Sequence, residues 1–466
     1  MVRRIVFGVF ALIVLVFCGT LIMFNWRNLG DLAYMQSGDI YFKELPKGRP
    51  SQLTHDGLNS SPRISPSGKW LAFRKADGQL WIMKTDGQSA NLVHSGKIAY
   101  FKWAPGSDLL AFIVSGELRT LQAGGTESRL IVPSPPQEHT GANFEFVWSA
   151  DGKWIACEYT EKKEVPESEW QWKNSIRKVN VENGEFEEII AYPPPDREGV
   201  PGNTALAAWV GSKIYLWQCR FMSASIMADG CPLYYIDLHK KQNEAGATSL
   251  LYRDFLAFSP DGGTLAVSEG ADRLTWSNKR IKIINQETRE ENVLTEPELI
   301  ALSPVWSPDG FSLAYVAGPD IGPEIISESN VLSGMAGRRI WILKADGSEK
   351  RQLTSDDVYR EECPVWLADG KHILFARFDA QGKPSLWLIR EDGKSLQKVT
   401  DVLSAFLTEY ESVDFYGHFH KEKLCDLSIA AVRNTISGPS ITMTTVLFLA
   451  AVLIVIGIFA GRVLDK

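Results

Sequence analysis

The chain has 466 residues and a formal net charge of −7, with 49 Lys and Arg against 56 Asp and Glu, so its summed field repels nucleic acid rather than collecting it. A length of this order suits two or three ordinary domains or one large repeat domain. The 15 Trp and 38 Gly residues, with Asp-Gly pairs scattered along the chain, favour many short strands joined by tight turns.

In chain order, residues 5–24 (IVFGVFALIVLVFCGTLIMF) come first, uncharged and long enough to cross roughly 30 Å of hydrocarbon as a helix. A second such run, ITMTTVLFLAAVLIVIGIFA, fills 441–460. Arg3 and Arg4 precede the first run, and Arg462 and Lys466 follow the second. The positive-inside rule then puts both termini in the cytoplasm and everything between them outside. The expected organisation is an N-terminal transmembrane segment in 1–26, an extracytoplasmic domain over 38–432, and a linker, transmembrane helix and tail in 433–466. A cleaved signal peptide is the other reading of the first run, whose apolar stretch exceeds the usual core of about 7–15 residues. A lipid-modified Cys18 is disfavoured because Phe17 stands where a small residue belongs. Gly457 and Gly461 form a G-x-x-x-G step that lets another helix approach closely.

Between the two runs the sequence repeats with a period of roughly 35–50 residues. The clearest copy reads LSPVWSPDGFSLAYVAG from 302 and, after an insertion, RIWILKADGSEKRQLT to Thr354. The next reads CPVWLADGKHILFARF and then SLWLIREDGKSLQKVT to Thr400. Weaker copies begin near 58, 98, 144, 204 and 255. Each unit parses as four strands. The first ends in an aromatic before a turn such as Ser307-Pro308-Asp309-Gly310, where Pro sets φ, Asp bonds local backbone and Gly accepts positive φ. The fourth closes on a Leu-Thr pair. One four-stranded meander cannot bury both faces by itself, and radial stacking solves that problem.

The combination of W-S-P-D-G, L-A-F or L-A-Y, and I-W-x-x-x-A-D-G-x-x-x-R-Q-L-T resembles the TolB-type, WD-like propeller repeat over nearly all of 38–432. The resemblance implies an all-β propeller of four-stranded antiparallel blades. It implies no particular function, since such blades occur in periplasmic binding proteins, peptidase gating domains and surface proteins alike. Seven complete units are counted. Residues 38–54 match the second half of a unit and 412–432 supply two strands resembling the first half, so the two remnants together predict an eighth, mixed closing blade; seven blades is the alternative. TolB itself resembles a six-bladed case. Entry at a third strand and exit after a second would bring both chain ends out on the face of the long insertions, 161–175, 220–230, 318–339, 133–143 and 192–203. That face is therefore expected to look toward the membrane.

Cys219 and Cys231 bracket CRFMSASIMADGC and are candidates for a disulfide stapling a hairpin, which an outside location would permit. Cys157, Cys363 and Cys425 fall in predicted strands as buried, inert thiols. Trp103, Trp148, Trp306 and Trp366 recur at one strand position and read as core between blades. Trp170, Trp172 and Trp276 do not follow the repeat and are the candidate ligand-binding residues, aromatics in second-to-third-strand insertions. His418 and His420, two apart on a predicted strand, would share a face but have no third metal ligand.

No G-x-S-x-G elbow, phosphate loop, H-E-x-x-H or C-x-x-C pair is present, and no catalytic residue, metal or cofactor is assigned. The expected function is a membrane-tethered binding or scaffold module for a protein, peptide or glycan on the loop-rich face, with no nucleic-acid partner. The rival is a propeller lyase or hydrolase whose site draws single residues from several blades; a cluster of carboxylate, His and Arg side chains at one channel mouth would mark it.

Overall fold

A computed structural model describes residues 29–134, 145–162, 172–192, 203–219, 228–239, 242–324, 335–400, 416–418 and 428–430. Residues 30–431 form one compact unit. It consists of eight four-stranded antiparallel sheets. Seven are sequential: blade 1 runs from Asn59–Ile64 to Asn91–His94, blade 2 from Ile98–Trp103 to Arg129–Val132, and blade 3 from Phe146–Trp148 to Phe186–Tyr192. Blades 4 to 7 begin at Asn203, Leu256, Leu299 and Arg360 and end at Leu250, Val293, Gln352 and Thr400. All seven starts lie within a few residues of the repeat boundaries read from the sequence.

The repeat's punctuation explains itself in the turns. Ser149, Ser259 and Ser307 donate their hydroxyls to Asp151, Asp261 and Asp309 at 2.5–2.6 Å. Each carboxylate also accepts a backbone amide two residues on. These bonds hold the three Asp pKa values below the usual carboxylate range. Gly310 follows at φ +76°, a conformation costly for any residue with a Cβ. At the other end of the unit, the Thr of the Leu-Thr pair takes over where the outer strand stops: Thr54, Thr295 and Thr354 accept the amides of Ile40, Ile281 and Ile340 at 2.8–3.1 Å.

The four recurrent Trp residues do more than fill space. Trp103, Trp148, Trp306 and Trp366 each donate the indole N–H to a carbonyl on the first strand of the preceding blade, Arg63, Lys102, Ala257 and Val305, at 2.9–3.3 Å. A buried indole without an acceptor would cost about 1–3 kcal/mol, so this bond fixes each blade's height against its neighbour. Apolar clusters between blades complete the ring; one joins Phe73, Leu71 and Met83 of blade 1 to Ala33, Met35 and Ile40 of the closing blade.

The closing blade is mixed, as expected, but divided differently. Its order is Ser51–Gln52, Asp39–Leu45, Gly30–Gln36, then Ser428–Ala430, so the N-terminal side supplies three strands and the C-terminal side one. Residues 30–36, which lie ahead of the domain start at 38 read from the sequence, pair along their whole length with 39–45, from Gly30↔Leu45 to Gln36↔Asp39. The register with the last strand is Asp31↔Ala430 to Ala33↔Ser428. The blade therefore lacks the turn between first and second strands, and its two chain ends stand where that turn would be. They leave on the tight-turn face, opposite the long insertions, which removes the premise for turning the loop-rich face toward the membrane.

The fold class is corrected accordingly. The structure is an all-β, eight-bladed propeller, not a seven-bladed one, and among the described residues no helix is long and apolar enough to cross a membrane. The expected spans at 5–24 and 441–460 lie outside the described residues and drop out of the fold assignment.

Candidate functional site at the loop-rich mouth

The two faces of the ring differ sharply in their connections. On the tight-turn face none exceeds six residues. On the other, made by second-to-third and fourth-to-first connections, they reach 19 residues at 320–338 and 27 at 401–427. Every insertion singled out in the sequence emerges there.

The short 3-10 turn Arg253–Phe255 leads into blade 5 on this face, and its side chains reach across the mouth. The Arg253 guanidinium donates to the Tyr100 hydroxyl of blade 2 and the Leu206 carbonyl of blade 4, both at 3.0 Å, and pairs with Glu145 ahead of blade 3. Asp254 accepts from the Ser303 hydroxyl of blade 6 at 2.8 Å and meets His418 Nε2 at 3.0 Å. Phe255 is fully buried in the cluster that holds Tyr252, Trp366 and Phe375.

Residues Tyr416–His418, from the connection ahead of the last strand, dock onto this turn. His418 stacks on Tyr252 with ring centroids 3.5 Å apart and planes 4° from parallel. Thr275 donates its amide and hydroxyl to the Tyr416 carbonyl at 2.9 and 3.0 Å. Arg273 donates to the Tyr416 hydroxyl at 3.0 Å and pairs with Asp229 at 2.7 Å. Gly417 has φ +79°, and a Cβ there would lie 2.7 Å from the Trp276 ring, so only glycine permits so close an approach.

Beneath them Arg338, 2% exposed, donates to Glu362 and the Gly417 carbonyl at 3.0 Å and to the Thr275 hydroxyl at 2.8 Å. Glu361 pairs with Arg377 at 2.7 Å and accepts from the Thr354 hydroxyl. Burial raises the Glu361 pKa, against the lowering effects of Thr354 and Arg377. This side of the mouth thus holds two buried ion pairs, Arg338–Glu362 and Arg377–Glu361, beside the further buried guanidiniums of Arg339 and Arg360, and the satisfied pairs rigidify it.

Glu158 accepts from the Thr204 hydroxyl at 3.0 Å. Its pKa is pushed up to about 8, first by burial and then by the Glu145 carboxylate, with Thr204 and Arg253 opposing. A carboxyl in this state holds its proton at neutral pH. Elsewhere, an open cleft of about 350 Å³ separates the closing blade from blade 1. Lys75 spans it, paired with Asp56 and 5.2 Å over the Trp81 ring.

Of the residues singled out in the sequence, Trp170 lies outside the described residues. Trp172 opens the strand Trp172–Asn180, opposite Lys162. Trp276 is buried at 1% exposure under Gly417, where its ring seats the Tyr416–His418 segment. Cys219 and Cys231 are disulfide-bonded, Cα atoms 5.3 Å apart, at the root of the 220–229 loop. Cys157 and Cys363 are buried free thiols, Cys157 with its pKa raised to about 12 by burial. Cys425 and His420 lie outside the described residues. His418 is not on a strand as expected, and no group of three potential metal ligands occurs among the described residues.

Sequence reading missed Arg253, Asp254, Arg338 and Glu158, since they come from three separate places in the chain: the turn into blade 5, the connection inside blade 6 and the second strand of blade 3. The one signal was the charged pair in YRDFLAF (252–258), directly ahead of a first strand.

No family model and no curated protein matches the sequence. Solved structures do match in fold. Dipeptidyl peptidase 4 from Porphyromonas gingivalis aligns at 12% identity and TM-score 0.53, over 80% of this chain and 60% of that one; this chain thus spans less than two thirds of that neighbour. A putative TolB from Agrobacterium tumefaciens aligns at 14% identity and TM-score 0.34, over 80% and 90% of the two chains. Oligogalacturonate lyase from Vibrio parahaemolyticus aligns at 16% identity and TM-score 0.44, over 78% and 100%. The neighbours include both enzymes and TolB proteins; of these three, the peptidase alignment has a TM-score above 0.5, and at 12% identity it shows a likeness of fold and nothing finer.

Proposed function

We propose that this propeller is a binding or scaffold module that takes a protein, peptide or glycan partner on its loop-rich face. The observation that carries the reading is the asymmetry of the ring: connections of up to 27 residues leave from the strand ends at one face, and buried ion pairs and hydrogen bonds at that mouth fix the described residues around it. Long loops on a rigid scaffold are the usual seat of recognition. The Cys219–Cys231 disulfide supports an oxidising, extracytoplasmic compartment. Replacing 163–171 and 325–334 with short Gly-Ser linkers tests the reading. The cuts stop short of Arg338, whose removal would strand Glu362. A folded variant that loses a partner captured by the intact protein supports the proposal, and undiminished capture defeats it.

The rival enzymatic reading keeps one specific support. Carboxylate, His and Arg side chains do converge at one mouth, and the protonated Glu158 near Glu145 and Arg253 has the make-up of a general acid. His418 and Asp254 are less suited to turnover, since His418 is 7% exposed and stacked against Tyr252.

A further inference from the structure

Phe73 pairs across the sheet of blade 1 with Trp81, and Met83 lies two residues beyond Trp81 on the same strand, so the three side chains leave one face. That face packs on Ala33 and Ile40 of the closing blade. Toward the rim the two blades part, because the outer strand of the closing blade has two residues, Ser51–Gln52, against four in blade 1, Asn91–His94. The result is the cleft of about 350 Å³, within the size range of small-ligand sites. Leu53 and Trp81, both half-buried, wall it over a floor of Phe73 and Met83 at 2% and 1% exposure. The 53–58 connection and the end of the strand Trp70–Lys75 place its mouth at the edge of the loop-rich face. The polar groups around it are already satisfied. Lys75 is held by Asp56 and by the Trp81 ring. Asp56 also accepts from Asn59 and the Leu58 amide at 2.5 and 3.2 Å. The Thr54 hydroxyl accepts from the Ile40 amide and Asn59 and donates to Asp39, at 2.8–3.1 Å, and the Trp81 indole N–H donates to Gln79 at 3.0 Å.

We propose that this cleft takes a bulky apolar side chain from a peptide segment of the partner. The proposal rests on the binding reading above and gives its partner a chemistry. A sugar fits less well: its hydroxyls would find few unused partners here, which is costly for buried polar groups, and Lys75 already lies over the indole on which a sugar ring would stack. Lys75 and Asp56 neutralise each other, so the rim favours an uncharged occupant. One anchor of this kind, held between Leu53 and Trp81, is the type of contact that dominates the energy of an interface. Exposed His55, which makes no bond among the described residues, stands at the rim to meet the peptide main chain.

The test is titration of the full chain with N-acetyl-phenylalaninamide, followed by NMR at the indole N–H signal of Trp81, which is assigned by its loss in Trp81→Phe. Saturable shifts are expected, with affinity at least about tenfold weaker in Ala90→Trp, where a large side chain fills the cleft from its exposed rim. Cellobiose should produce no saturable shift. Ala90→Trp is preferred to a change at Phe73 or Met83, which would hollow the core between blades. Absence of saturable shifts, equal affinity in wild type and Ala90→Trp, or saturation by cellobiose at similar concentrations would each overturn the proposal. The cleft residues are unchanged in the variant with 163–171 and 325–334 replaced. Undiminished partner capture by that variant would therefore defeat the loop-face reading while the titration separately decides the cleft.

Discussion

Glu158 shows how a single side chain reports its surroundings. In an unfolded chain its carboxyl ionises near pH 4.3, roughly, whereas in the fold burial and Glu145 raise its pKa to about 8. The folded state holds the proton more tightly, so this group's contribution to stability is fully present below the unfolded pKa and is lost as pH rises through the folded one. Glu158→Gln removes that dependence. Thermal melts of the two proteins should nearly coincide at pH 5 and separate at pH 8.5, the variant being more stable by roughly 2 kcal/mol; parallel pH profiles would return Glu158 to the ordinary carboxylate range. Nothing in the sequence marks this residue, since its pKa depends on burial in the fold and on Thr204, which reaches it from blade 4, as well as on Glu145 at the start of its own blade. The turn aspartates are the opposite case: Asp309 bonds Ser307 and Phe311, neighbours in sequence, so its role was legible from S-P-D-G alone.

At the level of the blade, the repeat is weakest near 204–251, and blade 4 is where the disulfide falls. Cys219 closes the second strand and Cys231 is the second residue of the third, so the bond pins the root of the 220–229 loop independently of the degenerate blade sequence. The double change Cys219→Ser/Cys231→Ser should lower stability by about 2 kcal/mol in denaturant titrations, and reduction of the wild-type protein should reproduce the loss. Equal midpoints would mean that packing by Tyr215, Trp217 and Leu233 holds the blade unaided. The closing blade was only half legible for a related reason. Residues 30–36 lack the repeat's turn signature, and their strand identity comes from pairing with 39–45 and from the groove their Ala33 and Met35 fill against blade 1.

Across the whole molecule, ring closure depends on three residues near the C-terminal end. Ending the chain before Ser428 removes the strand paired with Asp31–Ala33 and leaves 30–36 as an unpaired edge, a template for association. Such a truncation should unfold less cooperatively and aggregate at concentrations where the intact chain does not, as followed by denaturant titration and light scattering. A cooperative, monomeric product would show that interblade packing closes the ring without that strand. Strand order, turn chemistry, the interblade Trp positions and the starts of seven blades were written in the sequence by itself, because each follows from contacts within one repeat or between adjacent ones. The division of the closing blade, the face on which the chain ends leave, and the convergence of Arg253, Asp254, Arg338 and His418 at one mouth were decided only by tertiary structure. Residues more than a hundred positions apart become neighbours when a chain circles an axis, and a linear pattern carries no record of which ones will meet there.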